Sequence, residues 1–178
     1  MDSRKIAFSG SHGTGKTTSV FRVSHEYKMS HPELTVCPFN EVARECPMSI
    51  NLKSTFESQM WIFTNQIAKE IEFCNRYDLV VCDRTVIDCL AYCKVFGMNA
   101  LFEMLYHTGE DWVRTYDSIY FNTIEKNPYN FEDGKRMDSG EGVGEGNLII
   151  CSGNDIRQQV EKELLSIYDD MDVDLIMQ

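Results

Sequence analysis

Apolar positions along the chain follow two spacings, which separate predicted strands from predicted helices. Short apolar runs bounded by polar or turn-forming residues predict strands buried in a parallel sheet, and apolar residues at every third or fourth position predict helices with one buried face. The apolar runs predict strands at 4–9, 34–39, 77–84, 117–121, 147–151 and 173–177. The helical spacing predicts helices at 15–29, 54–76, 85–96, 100–113 and 156–169. This alternation predicts an α/β fold, in which helices cover both faces of a parallel sheet.

Capping signals mark two of the predicted helix starts. Ser54 is followed three positions later by Glu57, which predicts a capping box at the start of helix 54–76. Asp155 predicts an N-cap for helix 156–169.

The alternating pattern is interrupted between Glu125 and Asn147, where Pro128, several glycines and many charged residues accumulate. This composition predicts a long loop, and such loops in compact domains are usually functional lids or solvated mobile segments. We therefore interpret residues 1–178 as one domain with a lid at about 125–147.

Overall composition narrows the class of protein. The net charge of −11 disfavours a broad surface for nucleic acid, which needs clustered lysines and arginines, but it leaves a small anionic substrate open. The seven cysteines contain no C-x-x-C pair, so a zinc site or a disulfide framework is not expected, and a reducing compartment such as the cytoplasm is favoured. No apolar run predicts a membrane span or a signal peptide.

The segment between the first strand and the first helix fits G-x-x-x-x-G-K-[ST] at residues 10–17. In this pattern the glycines let the backbone wrap closely around a polyphosphate, and the following helix start favours negative charge. Lys16 would meet the β- and γ-phosphates, and the Thr17 hydroxyl would ligate Mg²⁺. The strand–loop–helix context that the motif requires is predicted here as well. The predicted nucleotide contacts are Gly10, Ser11, His12, Gly13, Thr14, Gly15, Lys16, Thr17 and Thr18.

The buried strand within 77–84 ends in Asp83 and Arg84. An aspartate at the carboxyl end of a parallel strand could hold Mg²⁺ or accept a proton from an attacking hydroxyl, and these two roles stay open. Arg84 could bind phosphate oxygens through two hydrogen bonds. We predict catalytic roles for both, with a capping Asp–Arg pair as the alternative.

The predicted acceptor contacts come from the segment after the second strand and from the long helix. Glu41 and Arg44 follow the second strand at the edge of the sheet where ligands bind, although a solvated charge pair would explain them as well. Gln59 and Gln66 share one face of helix 54–76. Amides on one face beside Trp61 and Phe63 could bind a planar base. Aromatic stripes mostly serve packing, so the residues alone favour a core position for the aromatics and a surface position for both glutamines.

The predicted lid carries Lys135 and Arg136 in an otherwise acidic stretch. A lid that brings an arginine onto transferring phosphates is a recurrent device in phosphoryl transfer. From the sequence alone, a functional lid that carries Arg136 and a solvated mobile loop are equally favoured.

Together these motifs resemble the nucleoside and nucleotide kinase branch of the P-loop proteins, with its thymidylate-kinase-like, deoxynucleoside-kinase-like and nicotinamide-riboside-kinase-like members. The resemblance spans nearly the whole chain. It rests on the loop at 10–18, on Glu41-Val-Ala-Arg44-Glu45, on Asp83-Arg84-Thr85 with Asp88, and on Glu132-Asp-Gly-Lys-Arg136-Met-Asp138. The sequence departs from the family pattern in three places. The lid motif is one residue shorter before Asp138, the segment 139–153 is rich in Gly and Glu, and no Arg-Glu-Pro-Gly segment follows the second strand.

The resemblance implies the three-layer P-loop NTPase sandwich, with a five-stranded parallel sheet, flanking helices and a lid. It implies ATP and Mg²⁺ as cofactors, with Thr17 and Asp83 at the metal, and phosphoryl transfer to a small nucleoside or nucleotide that Glu41, Arg44 and Gln66 bind. It raises Gln66 to a candidate contact of the base.

Several alternatives stay open. The acceptor could be a modified base such as 5-hydroxymethyluracil in phage DNA, although the net charge of the protein disfavours DNA. A viral protein of this kind would act in the cytoplasm of the host. A nucleotide-dependent switch or ATPase without kinase activity is the alternative from another class. The sequence leaves a homodimer open.

Overall fold

The computed structural model describes residues 3–50, 53–126, 139–144 and 147–178, with backbone only for 139–144 and 147–155. The strands are β1 (Arg4–Ser9), β2 (Val36–Phe39), β3 (Leu79–Asp83), β4 (Ser118–Phe121), β5 (Ser139–Gly144), β6 (Asn147–Ser152) and β7 (Leu175–Met177). The α-helices are α1 (Lys16–Ser30), α2 (Phe56–Cys74), α3 (Val86–Val95), α4 (Asn99–Val113) and α5 (Gly153–Asp170), with a 3₁₀ turn at Val42–Glu45.

Five of the strands form one parallel sheet in the order β2-β3-β1-β4-β7. Apolar side chains that alternate along β1 divide the core between the two faces of this sheet. Ile6 and Phe8 pack with Val20 of α1, whereas Ala7 belongs to the larger cluster that α2 to α5 cover on the other face. The predicted three-layer α/β fold with a five-stranded parallel sheet is therefore confirmed.

The two capping predictions are wrong. Helix α2 begins one position later than Ser54 and Glu57 predict, because Thr55 is the N-cap and forms a reciprocal capping box with Ser58. Helix α5 begins at Gly153, so Asp155 lies inside its first turn and not at its cap. For α2 the difference follows from two neighbouring hydroxyl residues, Ser54 and Thr55, that compete for the same capping position.

Strands β5 and β6 form an antiparallel hairpin outside the main sheet. The strand predicted at 147–151 is confirmed by β6, but the loop predicted up to Asn147 is wrong for 139–144, which is strand β5. Glycine disfavours strands in isolation, and here pairing with β6 overrides that preference. Residues 127–138, which include Lys135 and Arg136, lie outside the described part of the chain, so the prediction for Arg136 stays a prediction.

Glu70 of α2 joins three structural elements through a fully buried carboxylate. Lys5 Nζ and Trp112 Nε1 each donate to Oε2 at 2.8 Å, and Tyr116 Oη donates to Oε1 at 2.6 Å. Gln66 Nε2 donates to Oε1 at 2.7 Å as well. A buried carboxylate with this many donors fixes α2 against β1 and α4.

Glu70→Ala should lower the free energy of unfolding by about 3–5 kcal/mol, because it leaves the Lys5 ammonium buried without its counter-ion. Urea denaturation measures the loss. The matched control is Glu72→Ala on the same helix, where the side chain is half-exposed and pairs with Arg76; it should cost less than about 1 kcal/mol. Equal losses for the two variants would contradict the role given to Glu70.

In the described part of the chain, no helix is long and apolar enough to cross a bilayer. Nor do the described side chains include a cluster of three or more His, Cys, Asp or Glu residues suited to a metal ion. The cysteines with described side chains are free, namely Cys37, Cys46, Cys74, Cys82, Cys89 and Cys93.

Candidate functional site

The loop between β1 and α1 lies at the carboxyl edge of the sheet, beside the end of β3, because Phe8 and Asp83 are register partners. Gly10, Gly13 and Gly15 all have positive φ. A Cβ at Gly10 would lie 2.4 Å from the Asn122 carbonyl oxygen, so a side chain there would force β4 away from the loop. The first helical residue is Lys16, with Gly15 as the N-cap.

Two side chains from distant elements hold carbonyl groups of this loop. Arg157 Nε of α5 donates to the His12 carbonyl oxygen, and Asn122 Nδ2 donates to the Thr14 carbonyl oxygen, each at 3.0 Å. In a trans peptide the carbonyl and the next N–H point in opposite directions. The N–H groups of Gly13 and Gly15 therefore point away from Arg157 and Asn122, as donors that a phosphate could meet.

Lys16 is a buried cation that lies over the loop. Its Nζ donates to the Ser11 carbonyl oxygen at 2.6 Å, and none of the described carboxylates lies within ion-pair distance. Burial, and secondarily the charge of Arg84, lower the pKa of Lys16 to about 7. The Ser11 hydroxyl is buried nearby without a hydrogen-bond partner among the described residues. An anion in this loop would compensate the lysine and could accept from the serine.

Thr17 and Asp83 meet at the start of α1. Thr17 Oγ1 donates to Asp83 Oδ2 at 2.5 Å. Burial, together with the nearby charge of Glu41, raises the pKa of Asp83. A hydroxyl and a carboxylate in direct contact supply the oxygen ligands that Mg²⁺ prefers, so the residues present fit this ion by type.

Arg84 connects the loop to the segment after β2. Its Nε donates to Glu41 Oε1 at 2.5 Å, and its Nη1 donates to Asp88 Oδ1 at 2.9 Å and more weakly to the Gly10 carbonyl oxygen at 3.5 Å. Arg84 also has a φ of 89°, a left-handed conformation that is strained for a residue with a side chain. The two carboxylates neutralise this guanidinium and fix its direction.

A second contact layer holds Asp88 in place. Its Oδ2 accepts hydrogen bonds from Ser9 Oγ and from the Thr85 backbone N–H, both at 2.9 Å. Thr85 is the N-cap of α3, and its hydroxyl lies 2.7 Å from Tyr168 Oη of α5. The position of the arginine is therefore set by β1, α3 and α5 together.

A cavity of about 230 Å³ opens beside Arg84, between the 3₁₀ turn, α2 and α3. The predicted acceptor residues Glu41, Arg44 and Gln66 all line it, together with Arg84 and Asp88. Much of the remaining lining is apolar: Val42, Ala43, Ile50, Ile62 and Val86. The structure thus brings the predicted acceptor residues together next to the loop at 10–17.

The surface position favoured for Gln59 and Gln66 is wrong, because both are only 3% exposed. Gln66 Nε2 donates to Glu70 and lies 3.4 Å from the Arg84 carbonyl oxygen. Gln59 Nε2 donates to Ser54 Oγ, and its Oε1 accepts from Cys89 Sγ. Packing of α2 against α3 and β3 turned this face inward, and helical spacing alone could not reveal which face would be covered.

A family model described as an AAA domain matches residues 5–145, which include the loop, the end of β3 and the cavity-lining turn. The chain belongs to this AAA domain family. A search of curated protein sequences gives no match.

Solved structures with the same fold include two proteins described as kinases. Deoxyadenosine kinase from M. mycoides, solved with bound dATP, has a TM-score of 0.62 and 16% identity, with 98% of this chain and 90% of that chain covered. Thymidylate kinase from Ehrlichia chaffeensis has a TM-score of 0.64 and 13% identity, with coverage of 99% and 87%.

A third structure, the NadR protein in complex with NAD and AMP-PNP, has a TM-score of 0.66 and 17% identity. The match covers 98% of this chain but 44% of the NadR chain, so this chain spans less than half of that protein. At these identities the matches show the fold. The fold is therefore that of the kinase structures whose motifs this chain resembles.

The sequence did not point to Asn122 or Arg157 as site residues. Asn122 directly follows β4, so its place at the carboxyl edge was an available signal. Arg157 lies 145 positions from His12 and reaches the loop only because α5 packs against α3. No local pattern could have identified it.

Proposed function

We propose that the protein transfers the γ-phosphoryl group of ATP to a small nucleoside or nucleotide. The observation that carries this proposal is the position of Arg84, which bonds to Glu41 in the cavity wall and lies against Gly10 of the phosphate loop. Because Arg84 contacts both, the phosphate loop and the acceptor cavity lie next to each other. Direct transfer requires such closeness, since the reacting groups must be held close and in line.

The donor phosphates would lie in the loop. The N–H groups of Gly13 and Gly15, the helix start at Lys16 and the Lys16 ammonium would bind them, and Ser11 Oγ would gain a partner. Thr17 and Asp83 would hold Mg²⁺, which supplies neutralisation of the charge on the phosphate oxygens. Arg136 stays a proposed lid residue that would stabilise the group in transfer.

In the transfer step an acceptor oxygen forms a bond to the γ-phosphorus, the bond from that phosphorus to the β-phosphate oxygen breaks, and ADP leaves with the electron pair. The proton of an acceptor hydroxyl needs a base. Asp83 is turned towards Thr17, whereas Glu41 lines the acceptor cavity. We therefore assign the metal to Asp83 and the proton to Glu41.

A panel assay tests the proposed function. The protein is incubated with γ-labelled ATP, Mg²⁺ and, separately, the common nucleosides, their monophosphates, and DNA with and without 5-hydroxymethyluracil. Label in a small nucleoside or nucleotide is expected. Label in DNA would overturn the small-molecule acceptor in favour of a DNA base kinase. Release of phosphate without a labelled acceptor would instead indicate an ATPase.

Nucleotide affinity should fall as the pH rises above 7, because the free enzyme then loses the Lys16 proton that the bound phosphates require. Bound phosphates raise the pKa of this lysine, so binding takes up a proton above pH 7 and almost none well below it. Linkage predicts about an eightfold loss of ADP affinity from pH 7.5 to 8.5. Titration calorimetry in two buffers of different ionisation enthalpy measures both affinity and proton uptake.

The expected uptake at pH 8 is close to one proton per ADP bound. An affinity that does not change over this range, together with no uptake, would contradict a neutral Lys16 in the free enzyme.

A further inference from the structure

Charged side chains in the acceptor cavity neutralise one another. The described residues that line it include two arginines and two carboxylates. Arg84 pairs with Glu41 and Asp88, and Arg44 Nε donates to the other oxygen of Glu41 at 3.0 Å. His12, which also lines the cavity, adds at most one positive charge when it is protonated. The described wall therefore has little positive charge in excess.

A terminal phosphate on the acceptor would need far more positive charge than this wall provides. It carries a charge of about −1.5 to −2 and is usually bound by an arginine that is not already committed to a carboxylate. Here the buried guanidinium of Arg84 is held by two carboxylates, so a phosphate beside it would have to displace Glu41 or Asp88. Asp88 is also fixed by Ser9 and the Thr85 N–H. That displacement would leave a buried carboxylate facing an anion.

The size and polarity of the cavity support the same conclusion. Its volume of about 230 Å³ lies below the range of about 300–1,000 Å³ that is typical of pockets for drug-sized ligands. Its apolar wall, formed by residues such as Val42, Ile62 and Val86, suits one flat ring system. Each Glu41 oxygen accepts an arginine hydrogen bond, from Arg84 at 2.5 Å and from Arg44 at 3.0 Å. A carboxylate oxygen can accept more than one hydrogen bond, so a substrate hydroxyl at this end of the cavity could also donate to Glu41.

We infer that the acceptor is an uncharged nucleoside, with its hydroxyl at Glu41, and not a nucleoside monophosphate. This inference rests on the proposed function. In the reaction the hydroxyl oxygen bonds to the γ-phosphorus of ATP, the bond to the β-phosphate oxygen breaks, ADP leaves with the electron pair, and the hydroxyl proton passes to the Glu41 carboxylate. The product is a nucleoside monophosphate, which a kinase acting on monophosphates must then consume.

The test compares each of the eight common nucleosides with its own 5′-monophosphate as acceptor of label from γ-labelled ATP. The expected result is a kcat/KM for at least one nucleoside that exceeds that of its monophosphate by more than about tenfold, because the described cavity offers a dianion no unneutralised arginine. A monophosphate preferred over its nucleoside would overturn the inference and leave the proposed kinase function in place. No labelled acceptor among nucleosides and monophosphates would overturn the proposed function itself.

A charge variant separates the two acceptor classes further. Glu41→Gln removes the proposed general base, so it should lower transfer to the nucleoside by about 10²-fold or more. It also removes one negative charge from the cavity wall, so it should not lower transfer to a monophosphate to the same extent. The matched control is Glu45→Gln on the same turn, whose carboxylate pairs with Lys69 outside the cavity; it should leave transfer unchanged. Undiminished transfer to the nucleoside by Glu41→Gln would overturn the inference, which places the acceptor hydroxyl at Glu41.

Discussion

Lys16→Met should abolish phosphoryl transfer, with a loss of turnover of about 10³-fold or more, while the protein stays folded. Removal of one preorganised charge that stabilises a transferring phosphoryl group costs rates of this order. Methionine keeps most of the length and volume of this buried side chain and lacks the ammonium group. Turnover with labelled ATP and the preferred acceptor measures the effect.

Lys16→Met should not lower the stability of the fold, although it abolishes turnover. The pKa of Lys16 is lowered to about 7 in the folded chain, so the ammonium form is disfavoured by folding, and its cost is present in full below pH 7. Lys16→Met should therefore unfold at a urea concentration equal to or above that of the wild type at pH 6. The matched control Lys28→Met, on the exposed face of the same helix, should keep full turnover. Turnover of Lys16→Met within tenfold of wild type would contradict the donor site.

Asp83→Asn should lower turnover by about 10²–10³-fold, while ADP binds within a few-fold of the wild-type affinity in the absence of Mg²⁺. The amide can still accept the Thr17 hydroxyl bond but is a much poorer ligand for Mg²⁺ than a carboxylate. The Mg²⁺ concentration for half-maximal turnover should rise more than tenfold. Asp169→Asn, on the exposed end of α5, is the control.

Dependence on Mg²⁺ distinguishes the two roles that the sequence left open for Asp83. A metal ligand changes the Mg²⁺ requirement, whereas a base changes the maximal rate and the acidic limb of the pH profile. Undiminished turnover of Asp83→Asn would exclude both roles.

Features that the sequence predicted well are those whose signal is local. The loop at 10–17 needs glycines and a lysine at fixed spacing, and Asp83 ends an apolar run, so both could be placed at the sheet edge before the fold was known. The five-stranded sheet followed from the alternation of elements and from the resemblance.

Predictions failed where tertiary contacts override local preference. The glycines at 140, 142 and 144 predict a loop by composition, but a strand partner pairs with them. Ser54, Thr55 and Asp155 are capping residues by type, and only the fold decides which position a helix uses. The buried amide of Gln66 is satisfied by the carboxylate of Glu70 and the Arg84 carbonyl oxygen. The periodicity of the helix gives no information about such contacts.

The bond from Arg157 to the His12 carbonyl has a consequence for the order of folding. His12 and Arg157 are 145 positions apart, so their contact closes a long loop of chain at a cost in entropy. This hydrogen bond to the turn that faces the phosphates can form only when α5 is in place. The entropy of ordering that turn is lost during folding and not on association, so a nucleotide meets donors that are already aligned.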